Sequence, residues 1–320
     1  MDVSRVKPLS AALVVLALHA PAAESAELQS YPTKPIRIVT TAVGSANDLV
    51  ARLLGPKISP MLGQPVIVDN RGFIASEIVA RAAPDGYTLI AYGSPLWLAP
   101  FLRTVAYDPI RDFAPVVLTA DTPNLLVVHP ALPVKSVREV IALAKAKPGV
   151  LNYGSSSPGG TPQLAAELFK SMTGVNIVGV PYKGIGQAVT GLLSGEVQLM
   201  FPNAGAASAH VRSGKLIALA VTTVQPSPLA PGLPTLTSAG VPGYESSSPL
   251  AILAPAKIPR AIQLKLNEAL AAVLSSPEIR ERLFNQGLEA GGGPPERLAV
   301  LMRSEIAKWG KVIRDAGIRE

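Results

Sequence analysis

The sequence predicts an α/β fold in two lobes, each a mainly parallel sheet flanked by helices, with a cleft between them. Strand-like and helix-like stretches alternate from Ile36 to the C-terminus, the pattern of parallel sheets covered by helices. An apolar strand runs twice into a Gly/Ser-rich turn that opens a helix, first over 36–48 and again over 151–161. Such a turn aims backbone N–H groups and short hydroxyls at the front of a helix N-terminus, where the field favours an anion. The C-terminal stretch reads as three amphipathic helices, which bury their apolar faces by returning to the first sheet.

Strands of the first lobe fall at 36–41, 66–69 and 87–92. Its first helix covers 48–62 with Leu49, Leu53 and Leu54 on one side, and Pro56 and Pro60 argue for a break in its second half. A second helix covers 76–83 and stops at the turn signal Pro84-Asp85-Gly86. In the second lobe, Ser136 and Glu139 have capping-box spacing for a helix over 137–147, which Pro148-Gly149 ends. Thr161 caps the next helix, with Pro162 at its first position and Gly174 just past its end. Strands follow at 151–155, 177–180, 197–201 and 217–223, and 225–243 is a Pro/Gly-rich connection. The closing helices fall at 262–274, 277–285 and 294–316, the second capped by Ser276. The chain then crosses between lobes near 123–128 and again near 247–250, and a double crossing is a hinge. Lobe one is 27–124 with 249–320, and lobe two is 125–248.

Residues 1–26 read as a secretory signal: Arg5 and Lys7, an uncharged apolar run over 8–18, then small residues at Ala20, Ala22, Ala23 and Ala26. Cleavage falls between Ala22 and Ala26. The run is too short to span a bilayer, and later apolar stretches are interrupted by Pro, Gly or charge. The chain has no cysteine, so an exported protein of this kind is held by its core, and the periplasm is the expected compartment. A net charge of +7 is paired with only 5% aromatic residues and no basic run. Stacking platforms and phosphate-tracking stripes are therefore missing, no nucleic-acid partner is expected, and the charge reads as general attraction for anionic solutes.

Enzyme signatures are weak. Beyond the signal the histidines are His129 and His210, each alone in its segment, which argues against a histidine metal centre. Gly154-Ser155-Ser156-Ser157 departs from GxSxG and runs into Pro158; Gly184-Ile185-Gly186 has Val189 where a dinucleotide turn needs glycine. No catalytic residue, metal or cofactor is expected. The candidate ligand-binding residues are those of the two turns: Gly44, Ser45 and Asn47, with Ser155, Ser156, Gly160 and Thr161. Asp48 either orients the first turn by accepting backbone N–H bonds or serves as a helix cap and nothing more. The rival from another class is a serine hydrolase on the same shell, with Ser155 or Ser156 as nucleophile and His129 or His210 as base.

Ordered motifs run through the chain: LGQPVIVDNR from Leu62, APDGYTL from Ala83 and YDPIRDFAPV from Tyr107. They continue with LAAELFKSMTGV from Leu164, PYKG from Pro181 and GKLIALAVTT from Gly214. On these the chain resembles the tripartite tricarboxylate transporter receptor (Bug) family of periplasmic solute-binding proteins, over nearly everything after the signal. The resemblance implies a type II periplasmic-binding fold, expected as a monomer, whose deep cleft holds a small organic carboxylate through main-chain amides and bridging waters. By position the contacts fall at 41–47 and 155–161, which adds Thr41; Tyr182 of PYKG either lines the far wall or packs within its lobe, and Asn203, next to Pro202, is a further candidate ligand-binding residue. The family implies delivery to the membrane carrier subunits of a tripartite transporter, or, for receptors without a carrier, a sensing role toward a membrane kinase.

The chain departs from the family at the ligand side. The first turn reads Thr40-Thr41-Ala42-Val43-Gly44-Ser45-Ala46-Asn47-Asp48, without the usual two prolines and one glycine. The loop Arg71-Gly72-Phe73-Ile74 is shortened, Pro202 replaces a frequent aspartate, and Pro249-Leu250 replaces an aromatic pair. Loss of that aspartate weighs against an amino-acid ligand.

Overall fold

A computed structural model describes residues 30–156 and 159–319; the expected signal over 1–26, together with Ser157 and Pro158, lies outside the described residues. Two sheets carry the fold. The larger has strand order β11-β4-β10-β3-β1-β2. It is built from β1 (Ile36–Thr40), β2 (Val66–Asn70), β3 (Thr88–Gly93), β4 (Phe113–Asp121), β10 (Leu250–Pro255) and β11 (Glu289–Ala290). The smaller has order β7-β6-β8-β5-β9. Its strands are β5 (Leu125–Val128), β6 (Asn152–Ser155), β7 (Val178–Pro181), β8 (Leu199–Met200) and β9 (Ile217–Val221). Both are mixed. β1 pairs in parallel with β2 and β3, and β6 with β7 and β8, whereas β10 and β5, the strands that follow the crossings, run antiparallel to their neighbours. A strand arriving from the other lobe enters at the cleft and runs away from it, opposite to strands that end there.

Ten helices complete the described residues: α1 (Ala46–Leu62), α2 (Ala75–Ala80), α3 (Ser94–Leu102), α4 (Val137–Ala146), α5 (Thr161–Thr173), α6 (Ile185–Leu193), α7 (Ala204–Arg212), α8 (Arg260–Ser275), α9 (Pro277–Asn285) and α10 (Pro295–Asp315). Helix α1 begins two residues before the expected start and runs unbroken past Pro56 and Pro60. Both prolines are exposed, so the carbonyls they leave without partners stay in water, while Leu54, Ile58 and Leu62 anchor the opposite face. Helix α2 stops at Ala80, three residues earlier than 76–83. Patterning overlooked β4, α3, α6, α7, β10 and β11. Short buried segments such as α3, SPLWLAPFL, are apolar on almost every side and show no period. The crossing expected over 123–128 is shorter, since β5 starts at Leu125.

Ile36, Ile38, Leu54, Leu89, Leu266 and Leu270 fill one side of the larger sheet, where α8 and α9 pack as expected. Helix α10 behaves differently. It packs on α3 and β4 but also touches α5 of the other lobe, and Trp309 and Met302 share one core with Trp97, Tyr153 and Phe169. No helix among the described residues is long and apolar enough to cross a membrane.

Candidate functional site

Both crossings run side by side. Pro123 and Ser247 form an antiparallel bridge, the Ser248 N–H donates to Thr122 O at 3.0 Å, and buried Thr222 ties Asn124 to Ser246. Above them, between the lobes, opens a cavity of about 420 Å³, within the range of small-molecule sites. Five helices meet its wall with their N-terminal ends: Ser45 to Asn47 of α1, Ser94 and Pro95 of α3, Thr161 and Pro162 of α5, Ile185 of α6 and Asn203 of α7. Among the described residues, none that lines the cavity is charged or aromatic. The site therefore favours negative charge through backbone N–H groups and helix ends, without a cationic side chain.

The first turn is built locally. Ser45 is the N-cap of α1, its hydroxyl accepting the Asp48 N–H at 3.2 Å, and Gly44 holds φ +80, which a side chain would strain. Asp48 is not the cap. It lies buried at the third helical position, where its carboxylate accepts the Gly44 N–H, an amide hydrogen of Asn70 and the Arg52 Nε–H, each at 2.9 Å. Burial pulls its pKa upward, but the bonds from Gly44, Asn70 and Arg52 outweigh that and hold it below the usual carboxylate range. Asn70 also donates to Thr41 O, so strand β2 and Asp48 together fix the turn. Ser136 and Glu139 repeat this arrangement at α4, with Glu139 accepting the Lys135 N–H.

Of the expected residues, Gly44, Ser45, Asn47, Ser156, Thr161 and Asn203 line the cavity. Thr41, Asp48, Ser155, Gly160 and Tyr182 do not. Thr41 shares a hydrogen bond with Ser45 Oγ at 2.7 Å and so supports the turn from behind. Ser155 ends β6 in the interior, its carbonyl accepting the Tyr182 N–H. Gly160, not Thr161, is the N-cap of α5, and Thr161 is its first helical residue; extended φ and ψ at Gly160 place the boundary there. Tyr182 packs against the core of the smaller lobe, over Gly154 and Gly191. Neither His129 nor His210 lines the cavity, because β5 carries His129 away from the cleft and His210 sits in the last turn of α7. Pro202 is buried and also stays off the wall, so the missing aspartate takes no contact from this cavity and does not weigh against an amino group there.

Sequence reasoning missed the third side of the cavity, formed by Gln286, Gly287 and Leu288 after α9, and the Ser94-Pro95 end of α3. A signal was present at Gly287. It adopts φ +74, and a Cβ there would stand 2.6 Å from Gly205 Cα at the start of α7, so two glycines let the lobes touch backbone to backbone.

Two sheets joined by paired crossings, with a ligand-sized cavity between them, define a two-lobed solute-binding protein. The sequence profile of the tripartite tricarboxylate transporter family receptor matches residues 50–318, and the chain belongs to that family of periplasmic solute-binding receptors. Protein BugT of Bordetella pertussis is 34% identical over 298 residues, covering 91% of this chain and 91% of that protein. The structure of R. palustris Rpa4515 with adipate is 40% identical, with TM-score 0.76, covering 91% of this chain and 100% of that one. MatC (Rpa3494) from Rhodopseudomonas palustris with bound malate is 30% identical, with TM-score 0.72, covering 88% and 100%. The family and these neighbours are binding proteins.

Proposed function

We propose that the protein captures a small organic carboxylate in the interlobe cavity and delivers it to the membrane carrier of a tripartite tricarboxylate-type transporter. The observation that carries this reading is the convergence of five helix N-termini on a cavity without charged side chains. Backbone N–H groups and hydroxyls of Gly44, Ser45, Asn47, Ser156 and Thr161 hold the carboxylate, and Thr41 and Asp48 keep the first turn in shape. The smaller lobe, 125–248, closes on the larger, 27–124 with 249–320, about the paired crossings. The adipate and malate bound by the two neighbours support a carboxylate ligand.

The chain is exported by its N-terminal signal, works in the periplasm as a monomer and performs no catalysis. Among the described residues, no histidine or charged side chain shares the cavity wall with Ser156. A thermal-shift screen of the purified protein against mono-, di- and tricarboxylates tests the reading. A ligand at a hundred times its Kd adds about 2.7 kcal/mol and raises Tm visibly. A flat screen from a folded sample refutes carboxylate capture.

A further inference from the structure

The cleft wall follows the order of the larger sheet, and its two ends differ in charge. At the β1 end, the turn 44–47 faces the turn that opens α5, and the N-termini of both helices are open to the cavity. At the β4 and β11 end, the wall is Thr122, Ser248 and Leu288, with Ser94 between the two ends. Three strand spacings separate β4, which carries Asp121, from β1, about 14 Å between backbones, so a six-carbon acid hydrogen-bonded at both ends comes close to spanning them.

Two carboxylates, Asp121 and Glu289, stand behind that second end, and a third, Glu305, stands behind Ser94 beside it. Asp121 accepts the N–H of cavity-lining Thr122 at 2.8 Å. Glu289 follows cavity-lining Leu288 and sits opposite Asp121 in the β4–β11 register, which puts the two like charges side by side. Glu305 of α10 is buried and accepts hydrogen bonds from Ser94 Oγ at 2.8 Å and from the indole N–H groups of Trp97 and Trp309. Among the described residues, none of the three carboxylates forms an ion pair. The neighbouring strand β10 brings no charge, and the crossing brings only the Ser247 hydroxyl, which bonds to Asp121. The N-terminus of α3, which could have served an anion here, already faces Glu305, and its second residue, Pro95, has no N–H. Burial, with repulsion from Glu305 and Glu289, pushes the Asp121 carboxyl up to about 7.

Building on carboxylate capture in this cavity, we infer that the cleft accepts one carboxylate at its β1 end and rejects a second at the β4 and β11 end. The ligand is then a monocarboxylate whose far end is a hydrogen-bond donor, a hydroxyl or an ammonium. Thr122, Ser248 and Gln286 supply acceptor oxygens along that stretch. Asp121 is a specificity-determining residue acting through the field, without touching the ligand. An added anion near three carboxylates at a wall of low dielectric is repelled more strongly than it would be in bulk water.

Isothermal titration at pH 8 with matched acids tests this: adipate, 6-hydroxyhexanoate and 6-aminohexanoate, and the four-carbon set succinate, 4-hydroxybutyrate and 4-aminobutyrate. At the length that binds, a hydroxy or amino acid is expected to bind at least tenfold more tightly than the diacid. That preference should shrink several-fold at pH 6, where Asp121 is protonated, and in Asp121→Asn at pH 8. A diacid that binds as tightly as its partners at pH 8 overturns the inference and leaves carboxylate capture standing. A preference that neither pH 6 nor Asp121→Asn reduces removes Asp121 from the explanation and overturns its role. If none of the six acids binds, capture of aliphatic acids fails and this inference falls with it.

Discussion

Replacing Asp48 with Ala tests whether the first binding turn is held by its own carboxylate. In the native protein Asp48 takes one bond from Gly44 N–H, one from Asn70 and one from Arg52, with its side chain 4% exposed. A hydrogen bond to a charged group contributes about 1.5–3 kcal/mol. The Arg52 bond counts for little, because that guanidinium is half exposed and water screens it. Two bonds remain, so the variant should lose about 3 kcal/mol in urea unfolding at pH 7. For a chain of this size that is a fall in Tm of roughly 4–6 °C. The pKa of Asp48 is lowered in the folded state, so its contribution is complete above the ordinary carboxylate value. It disappears as pH falls below that value, and the gap between native protein and variant should close on acidification. Asp48→Asn, which keeps an acceptor for Gly44, should fall between the two. An Ala variant within about 0.5 kcal/mol of native at pH 7, or a gap indifferent to pH, would refute the reasoning.

Asp121→Asn should act in the opposite sense. A carboxyl raised to about 7 in the folded state favours folding at low pH and weakens it as pH climbs past its unfolded value toward 7. The variant should therefore gain on native protein by 1 kcal/mol or more at pH 8, discounted from about 4 kcal/mol because the Ser247 bond changes too, and by little at pH 4; thermal melts at both pH values decide it. Gly287→Ala forces a methyl against Gly205 and strains a left-handed residue, at a cost of about 1–3 kcal/mol. Because that contact joins the two lobes, ligand affinity should drop at least tenfold in titration calorimetry, and an unchanged affinity would show that the contact is not made in the closed form.

Local chemistry was legible in the sequence wherever it acts over a few residues. Ser45 and Asp48, Ser136 and Glu139, and Ser276 with Pro277 are near neighbours whose spacing alone encodes a cap or its partner. The two strand–turn–helix units, and with them five of the cavity's lining residues, follow from such spacing, and Asn203 was added from the family resemblance. Even so, sequence placed the cap one residue late at Thr161 and broke α1 at prolines that burial of Leu54 and Ile58 holds in line. What tertiary structure alone decided is which distant segments share a wall. Gln286 to Leu288 reach the cavity because α9 packs on the larger sheet, and Ser94 does so because β3 ends beside β10. Asp121, Glu289 and Glu305 come from three elements, each ordinary in its own stretch of chain. Their shared charge exists only once β11 pairs with β4 and α10 packs beside them, because electrostatic repulsion depends on distance in space and on exclusion of water, neither of which sequence spacing records.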